Sequence, residues 1–330
     1  MKLHLDQDAF RVLIDAISTK TGYRKDVIEK DYYVTMILRE LAEFQREGLP
    51  AYFKGGTALY KALHSVRRFS EDIDLSVDVR DCSRTQGDKR LDKATKKYVS
   101  IPRNTQEGKS NRSEVISFYN YEPVVEYDTS DVLQRFGKVK VEATSFTISE
   151  PYEAMRVAPI IYENATAEQQ AILTSQFDVE PFEIMTMTME RIFVDKLFAA
   201  EAYTRNADKE HRAFEASKHI YDLAVILSEE RITALFENED LLAKLLSIRL
   251  TEEQKRLDGI PGILPKDFIF FDEACSNPYI KKAYATMQNQ YVLVAKERIE
   301  LEEAATKMLQ LKNKLEGCVA WLEAILPQSE

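Results

Sequence analysis

Lys54-Gly55-Gly56-Thr57-Ala58-Leu59, followed shortly by Arg68-Phe69-Ser70-Glu71-Asp72-Ile73-Asp74-Leu75, is the stretch on which the reading of this chain turns. A short strand, Ala51-Tyr52-Phe53, runs into the glycine pair, and Leu59, Ala62 and Leu63 then share one face of a helix. A second strand, Ile73 to Val77, bears Asp72 and Asp74. Neither the Gly-Lys-[Ser/Thr] ending of a P-loop nor a Rossmann glycine triplet is present. Instead, Gly55 and Gly56 let the backbone approach a ligand closely, and the N–H groups at the helix start favour phosphate oxygens. Alternate strand residues face the same side, so Asp72 and Asp74 project together while Ile73 and Leu75 enter the core. Two such carboxylates can hold Mg²⁺, an ion that bridges phosphates and activates an attacking hydroxyl.

Working outward, strand signals return at Ser117–Val125 and Gly137–Thr147, where Val139, Val141, Ala143 and Ser145 share a face. Glu142 projects from the opposite side of that last strand. It either completes a two-metal site as a third carboxylate or is a solvated residue on the outer face of a half-buried strand. Amphipathic helices are expected near 7–18 and 24–46. From Pro181 onward helix dominates, with expected helices at 182–204, 210–228, 239–256 and a long one from about 289 to 325; Gly259-Ile260-Pro261-Gly262 is the clearest late break. The expectation is an α+β protein. Residues 1–165 form a mixed β-sheet core with flanking helices, and residues 166–330 a helical C-terminal region.

Lys and Arg total 45 against 55 Asp and Glu, a net charge of −10 over 330 residues, which argues against coating nucleic acid by bulk positive charge. The charge is unevenly spread, however. Arg84, Lys89, Arg90, Lys93, Lys96, Lys97, Arg103, Lys109 and Arg112 face only Asp88, Asp92 and Glu107, so residues 84–112 stand at +6. Poor in large apolar residues, the stretch at about 80–114 reads as a mobile, exposed insertion, either an RNA-holding arm or a loop without a ligand. Three distant cysteines (Cys82, Cys275, Cys318) fit a reduced compartment, and the four histidines do not cluster. Asp6, Asp8 and Arg11 stand where a signal peptide would need an apolar run, and no apolar stretch approaches the roughly 20 residues of a membrane span. A cytoplasmic protein is expected.

These motifs resemble those of the DNA polymerase β-like nucleotidyltransferases, and more closely the AbiEii/AbiGii toxins of type IV toxin–antitoxin and abortive-infection systems. Glu29-Lys30-Asp31-Tyr32 is similar to that family's N-terminal signature, and Lys54–Leu59 and Arg68–Leu75 to its glycine and Asp-x-Asp motifs. Val194-Asp195-Lys196-Leu197-Phe198-Ala199 resembles its later lysine motif, and Tyr221-Asp222-Leu223 the end of its Arg-Asp-x-x-Asp-Leu motif. The resemblance spans residues 29 to 223 and departs at Lys218-His219, where the family carries Arg-Asp. It implies that Gly55, Gly56 and Thr57 cradle a nucleoside triphosphate and that Asp72 and Asp74 bind Mg²⁺ or Mn²⁺. Lys196 would reach the triphosphate and Asp222 would support catalysis or position Lys196, with Arg68 and Ser70 as further phosphate or substrate contacts. Lys196 also stands out by itself as a charge at the edge of an apolar helix face, suited to offset phosphate charge. The implied activity moves a nucleoside monophosphate from an NTP to an acceptor hydroxyl, with the tRNA 3′ end as acceptor. The implied partner is a cognate antitoxin encoded nearby, with or without direct contact. The missing Arg-Asp pair leaves open a non-catalytic nucleotide-binding module, and a protein acceptor would use the same site.

Overall fold

The computed structural model describes residues 2–66, 68–127, 136–256 and 259–325. Arg67, immediately before the Arg68–Leu75 motif, lies outside them. The chain divides into two compact units, one comprising residues up to Leu63 together with Phe69–Met187, the other His64–Arg68 with Thr188 onward.

The first unit is built on a seven-stranded mixed sheet. Its strands are β1 (Ala51–Lys54), β2 (Ile73–Val77), β3 (Arg103–Ser110), β4 (Glu114–Asn120), β5 (Lys138–Thr144), β6 (Tyr152–Val157) and β7 (Phe182–Met187), in the spatial order β3-β4-β5-β2-β1-β7-β6. β2 runs parallel to β5 and β1 parallel to β7, and the other neighbours are antiparallel. Among the described residues six α-helices accompany it: α1 (Gln7–Thr21), α2 (Lys25–Arg46), α3 (Gly55–Lys61), α4 (Arg84–Lys96), α5 (Ile160–Glu163) and α6 (Ala167–Phe177). One sheet face is apolar: Phe53, Ile73, Leu75, Val77, Val139, Val141 and Ala143 are fully buried, and α2 and α4 pack against the sheet. Strand alternation sends the intervening residues to the opposite face.

The Glu29–Tyr32 signature proves to be scaffolding for this unit. Glu29 accepts from Val124 N at 2.7 Å, and Lys30 donates to Lys138 O at 2.6 Å. Asp31 takes the Lys61 ammonium on one oxygen and Ile160 N on the other, both at 2.7 Å, while Tyr32 packs on Phe10. A buried ion pair with its remaining lone pairs satisfied is the arrangement that tolerates burial.

The segment read as a mobile insertion is ordered. Ser83 caps α4 with a reciprocal capping box, Leu91 and Ala94 at i, i+3 are buried together with Tyr98 and Ile101, and Tyr119 O–H bonds Thr95 O at 2.7 Å. Its apolar residues are few but correctly spaced, and several charges find local partners: Arg90 with Asp81, Lys93 with Glu47, Lys96 with Asp92. The remainder forms β3, a polar, exposed edge strand whose composition hid it. β7 likewise lies inside the stretch expected as helix from 182. Ile184 and Thr186 are buried at strand spacing, and Thr188 then caps the following helix by accepting from Arg191 N.

The second unit is helical: α7 (Met189–Arg205), α8 (Lys209–Ile226), α9 (Glu230–Glu237), α10 (Glu239–Glu253), α11 (Phe270–Ser276), α12 (Pro278–Tyr291) and α13 (Leu301–Ile325). The single terminal helix expected from 289 is two. α12 ends at Tyr291, and Val292 leaves it to form a backbone bridge with Arg68. Arg191 is fully buried and holds both oxygens of Glu252 at 2.7 Å, tying α7 to α10. No helix among the described residues is long and apolar enough to cross a membrane.

Candidate active site

In the first unit, β1, β2 and β5 lie side by side, and their register sets Lys54 opposite Asp74 and Asp74 opposite Glu142. Paired positions on adjacent strands hold their Cβ atoms about 5 Å apart and on the same face. A row of lysine, aspartate and glutamate therefore crosses the sheet, with Asp72 one alternation below Asp74. Lys140, two residues before Glu142, shares the face: its ammonium lies 2.8 Å from Glu142 Oε2 and 3.6 Å from Asp72 Oδ2. The Lys54 ammonium lies 3.2 Å from Thr144 Oγ1 and 3.3 Å from Thr147 Oγ1.

The Asp74 carboxyl is pushed up to about 6, first by burial and then by the neighbouring Glu142 charge, with Asp72 adding and Lys140 and Lys54 opposing. Negative charge is thus in surplus on this face. Among the described residues no three acidic, histidine or cysteine side chains are arranged to hold a metal ion as they stand. The donor chemistry nevertheless suits a hard divalent cation, since all three groups are carboxylates and a cation, the Lys140 ammonium, already bridges two of them.

The glycine turn serves these carboxylates directly. Gly55 has φ +80°, and a Cβ there would fall 2.3 Å from Asp74 Oδ2, so the position needs glycine twice over, for conformation and for space. Gly56 is the second residue of α3. Thr57 is completely buried; its hydroxyl donates to Asp72 O and lies 2.9 Å from Ser70 Oγ, tethering the segment that leads into β2. Ser70 itself is half-buried.

The second unit holds the other expected residues. Asp222 on α8 is wholly buried and accepts from Arg68 Nε on Oδ1 and Arg68 Nη2 on Oδ2, each at 2.7 Å, while the Lys196 ammonium on α7 lies 2.7 Å from Oδ2. Burial alone would raise the Asp222 carboxyl, but the Arg68 and Lys196 charges and their hydrogen bonds overcome it and hold the group well below the usual carboxylate range. Arg68, expected at phosphate or substrate, has its guanidinium committed to Asp222 and is itself buried. Lys196 is buried too. At the departure from the family pattern, Lys218 pairs with Glu215 at 2.8 Å and His219 stacks on Tyr203 with ring centroids 5.5 Å apart.

Lys54 and Lys140 were not singled out from the sequence. The signal for Lys140 was available: in Lys140-Val141-Glu142 the alternation that exposes Glu142 exposes the lysine with it.

A carboxylate-bearing strand pair beside a glycine turn, on a mixed sheet, is an arrangement suited to phosphoryl chemistry. The description "Nucleotidyl transferase AbiEii toxin, Type IV TA system" belongs to the family whose profile matches residues 37–307. The chain belongs to this family of nucleotidyltransferase toxins. No curated protein matches it. Among solved structures it is similar to JHP933 from Helicobacter pylori, at 19% identity and a TM-score of 0.42 over 92% of this chain and 99% of that one. It is also similar to MenT4, a nucleotidyltransferase toxin from Mycobacterium tuberculosis, at 15% identity and a TM-score of 0.49 over 94% of this chain and 98% of that one.

Proposed function

We propose that this toxin is a Mg²⁺-dependent enzyme, with Mn²⁺ as a substitute ion, that transfers a nucleoside monophosphate from an NTP to the 3′-terminal hydroxyl of tRNA and releases pyrophosphate. The observation that carries the reading is the register that sets Asp74 opposite Glu142 on one sheet face, with Asp72 linked to Glu142 through the Lys140 ammonium. These three would hold the ion, which when bound supplies charge neutralisation on the triphosphate and eases ionisation of the acceptor hydroxyl. Gly55 and Gly56 would place backbone N–H groups toward phosphate, and the Thr57 tether holds Ser70 and Asp72 in place for it. Lys196 would meet negative charge on the triphosphate, and Asp222 positions its ammonium. Arg68 in turn fixes the Asp222 carboxylate.

Support for an RNA acceptor comes from the exposed basic residues of the α4–β3 stretch, Arg84, Lys89, Lys97, Arg103 and Arg112, which suit sequence-independent contact with phosphates. Family membership implies a cognate antitoxin, and we assign its gene to the same operon.

The test is incubation of the full chain with labelled NTPs, Mg²⁺ and total tRNA. Label is expected on RNA and is expected to vanish in Asp72→Asn and Asp74→Asn. Label that persists in both variants would sink the assignment, and label on protein in place of RNA would change the acceptor.

A further inference from the structure

Two charged groups on the carboxylate face, Lys54 and Lys140, have no part in the proposed nucleotidyl transfer, and Lys140 contacts two of the carboxylates. Lys140 reaches Glu142 Oε2 at 2.8 Å and Asp72 Oδ2 at 3.6 Å, and its side chain keeps 28% of its surface open. Two further facts give this contact meaning. Asp74 stands in register beside Glu142, and the Lys140 ammonium bridges Glu142 to Asp72, the third carboxylate position. The lysine also sits on a regular strand, which fixes its backbone, while its four-carbon stem leaves the ammonium free to move.

We propose that Lys140 is the resident counter-cation of this cluster. Without a divalent ion its ammonium ties Asp72 to Glu142, and a divalent ion takes these oxygens only by displacing it. The proposal rests on the reading of Asp72, Asp74 and Glu142 as ion ligands. The competition follows from simple electrostatics. Carboxylates at neighbouring strand positions repel unless a cation lies among them, and an ammonium held at hydrogen-bond distance offsets that repulsion. A divalent ion brings twice the charge to about 2.1–2.5 Å from the same oxygens, so it prevails once its concentration is sufficient. The lysine therefore has two effects of opposite sign. It stabilises the ion-free fold and weakens apparent ion affinity. A lysine that merely packed would show only the first, and one that only gripped triphosphate would change nucleotide affinity without changing ion affinity.

The experiment uses the full chain without nucleotide, with Mn²⁺ as the probe and free Mn²⁺ read by electron paramagnetic resonance, alongside thermal unfolding in chelator and in Mn²⁺. Lys140→Met is expected to bind Mn²⁺ about tenfold more tightly than the unaltered protein, through removal of one like charge from the site. It is also expected to melt lower in chelator and to gain more from added Mn²⁺. Lys140→Gln, which keeps a donor for Glu142 without the charge, carries the same expectation should the methionine variant fail to fold. Unchanged or weaker Mn²⁺ binding in these variants, with binding still lost in Asp74→Asn, would overturn the role of Lys140 and leave the ion-ligand reading standing. Mn²⁺ binding by none of the proteins, or binding indifferent to Asp74→Asn, would overturn both.

Discussion

Arg68 grips Asp222 with two parallel hydrogen bonds of 2.7 Å, Nε to Oδ1 and Nη2 to Oδ2, although 154 residues separate them in the chain. Both are buried, and Lys196 adds a second cation to Oδ2. One carboxylate thus compensates two buried positive charges and accepts from both.

Removing the carboxylate charge leaves both buried cations uncompensated, whereas loss of Arg68 would leave Asp222 paired with Lys196. Asp222→Asn is expected to destabilise the protein by about 3–5 kcal/mol in urea unfolding at neutral pH, since removal of one partner of a buried ion pair costs that much. The Asp222 carboxyl is depressed in the folded state, so its contribution is present above the unfolded value near 4 and lost as pH falls below it. The unaltered protein should therefore lose stability more steeply below about pH 4 than Asp222→Asn. Parallel acid unfolding curves for the two proteins would contradict the assignment.

Gly55→Ala separates conformational strain from crowding at the carboxylates. Gly22 has a similar φ of +75° but open space around a would-be Cβ, whereas at Gly55 that atom meets Asp74 Oδ2. Gly22→Ala should cost about 1 kcal/mol, the price of a left-handed alanine. Gly55→Ala should cost clearly more and should also abolish nucleotidyl transfer, because Asp74 must move. Equal stability losses with activity retained in both would show that Asp74 does not depend on the glycine.

Glu29 gives a third test. Burial raises its carboxyl to about 7, against the backbone hydrogen bonds from Val124 and Val125 that lower it. Its ionisation therefore opposes folding. The stability it contributes is full below the unfolded value near 4.3 and is lost as pH rises through about 7. Glu29→Gln keeps an oxygen for Val124 N and cannot ionise, so it should be more stable than the unaltered protein by about 2 kcal/mol at pH 8 and comparable at pH 4. Thermal unfolding across that range reads the difference directly, and a constant offset at all pH values would count against it.

Much of the carboxylate face was legible in the sequence because it rests on strand alternation, a local rule. Asp74 on β2 and Asp72 just before it fall on one side whatever the rest of the chain does, and Glu142 was visible as a charge interrupting an apolar strand. The α4–β3 stretch was not legible in the same way. Its buried apolar residues are few among many charges, and an edge strand made of Arg103-Asn104-Thr105-Gln106-Glu107 carries no apolar signal. β7 was obscured by the largely buried, apolar-rich helix that follows it.

By itself, the sequence determined the kind of local structure at the motifs: a glycine turn opening a helix, two carboxylates on one strand face, a lysine and an aspartate on later helices. Those properties depend on residue type and spacing over a few positions. Only the tertiary structure decided which groups neutralise which. It set Glu142 rather than another acid beside Asp74, gave Arg68 to Asp222, turned Glu29-Lys30-Asp31 into supports, and put the Lys140 ammonium between Asp72 and Glu142. Such pairings are set by strand register and chain crossing, and the Coulomb energy of a charge depends on what folding brings within a few ångströms of it.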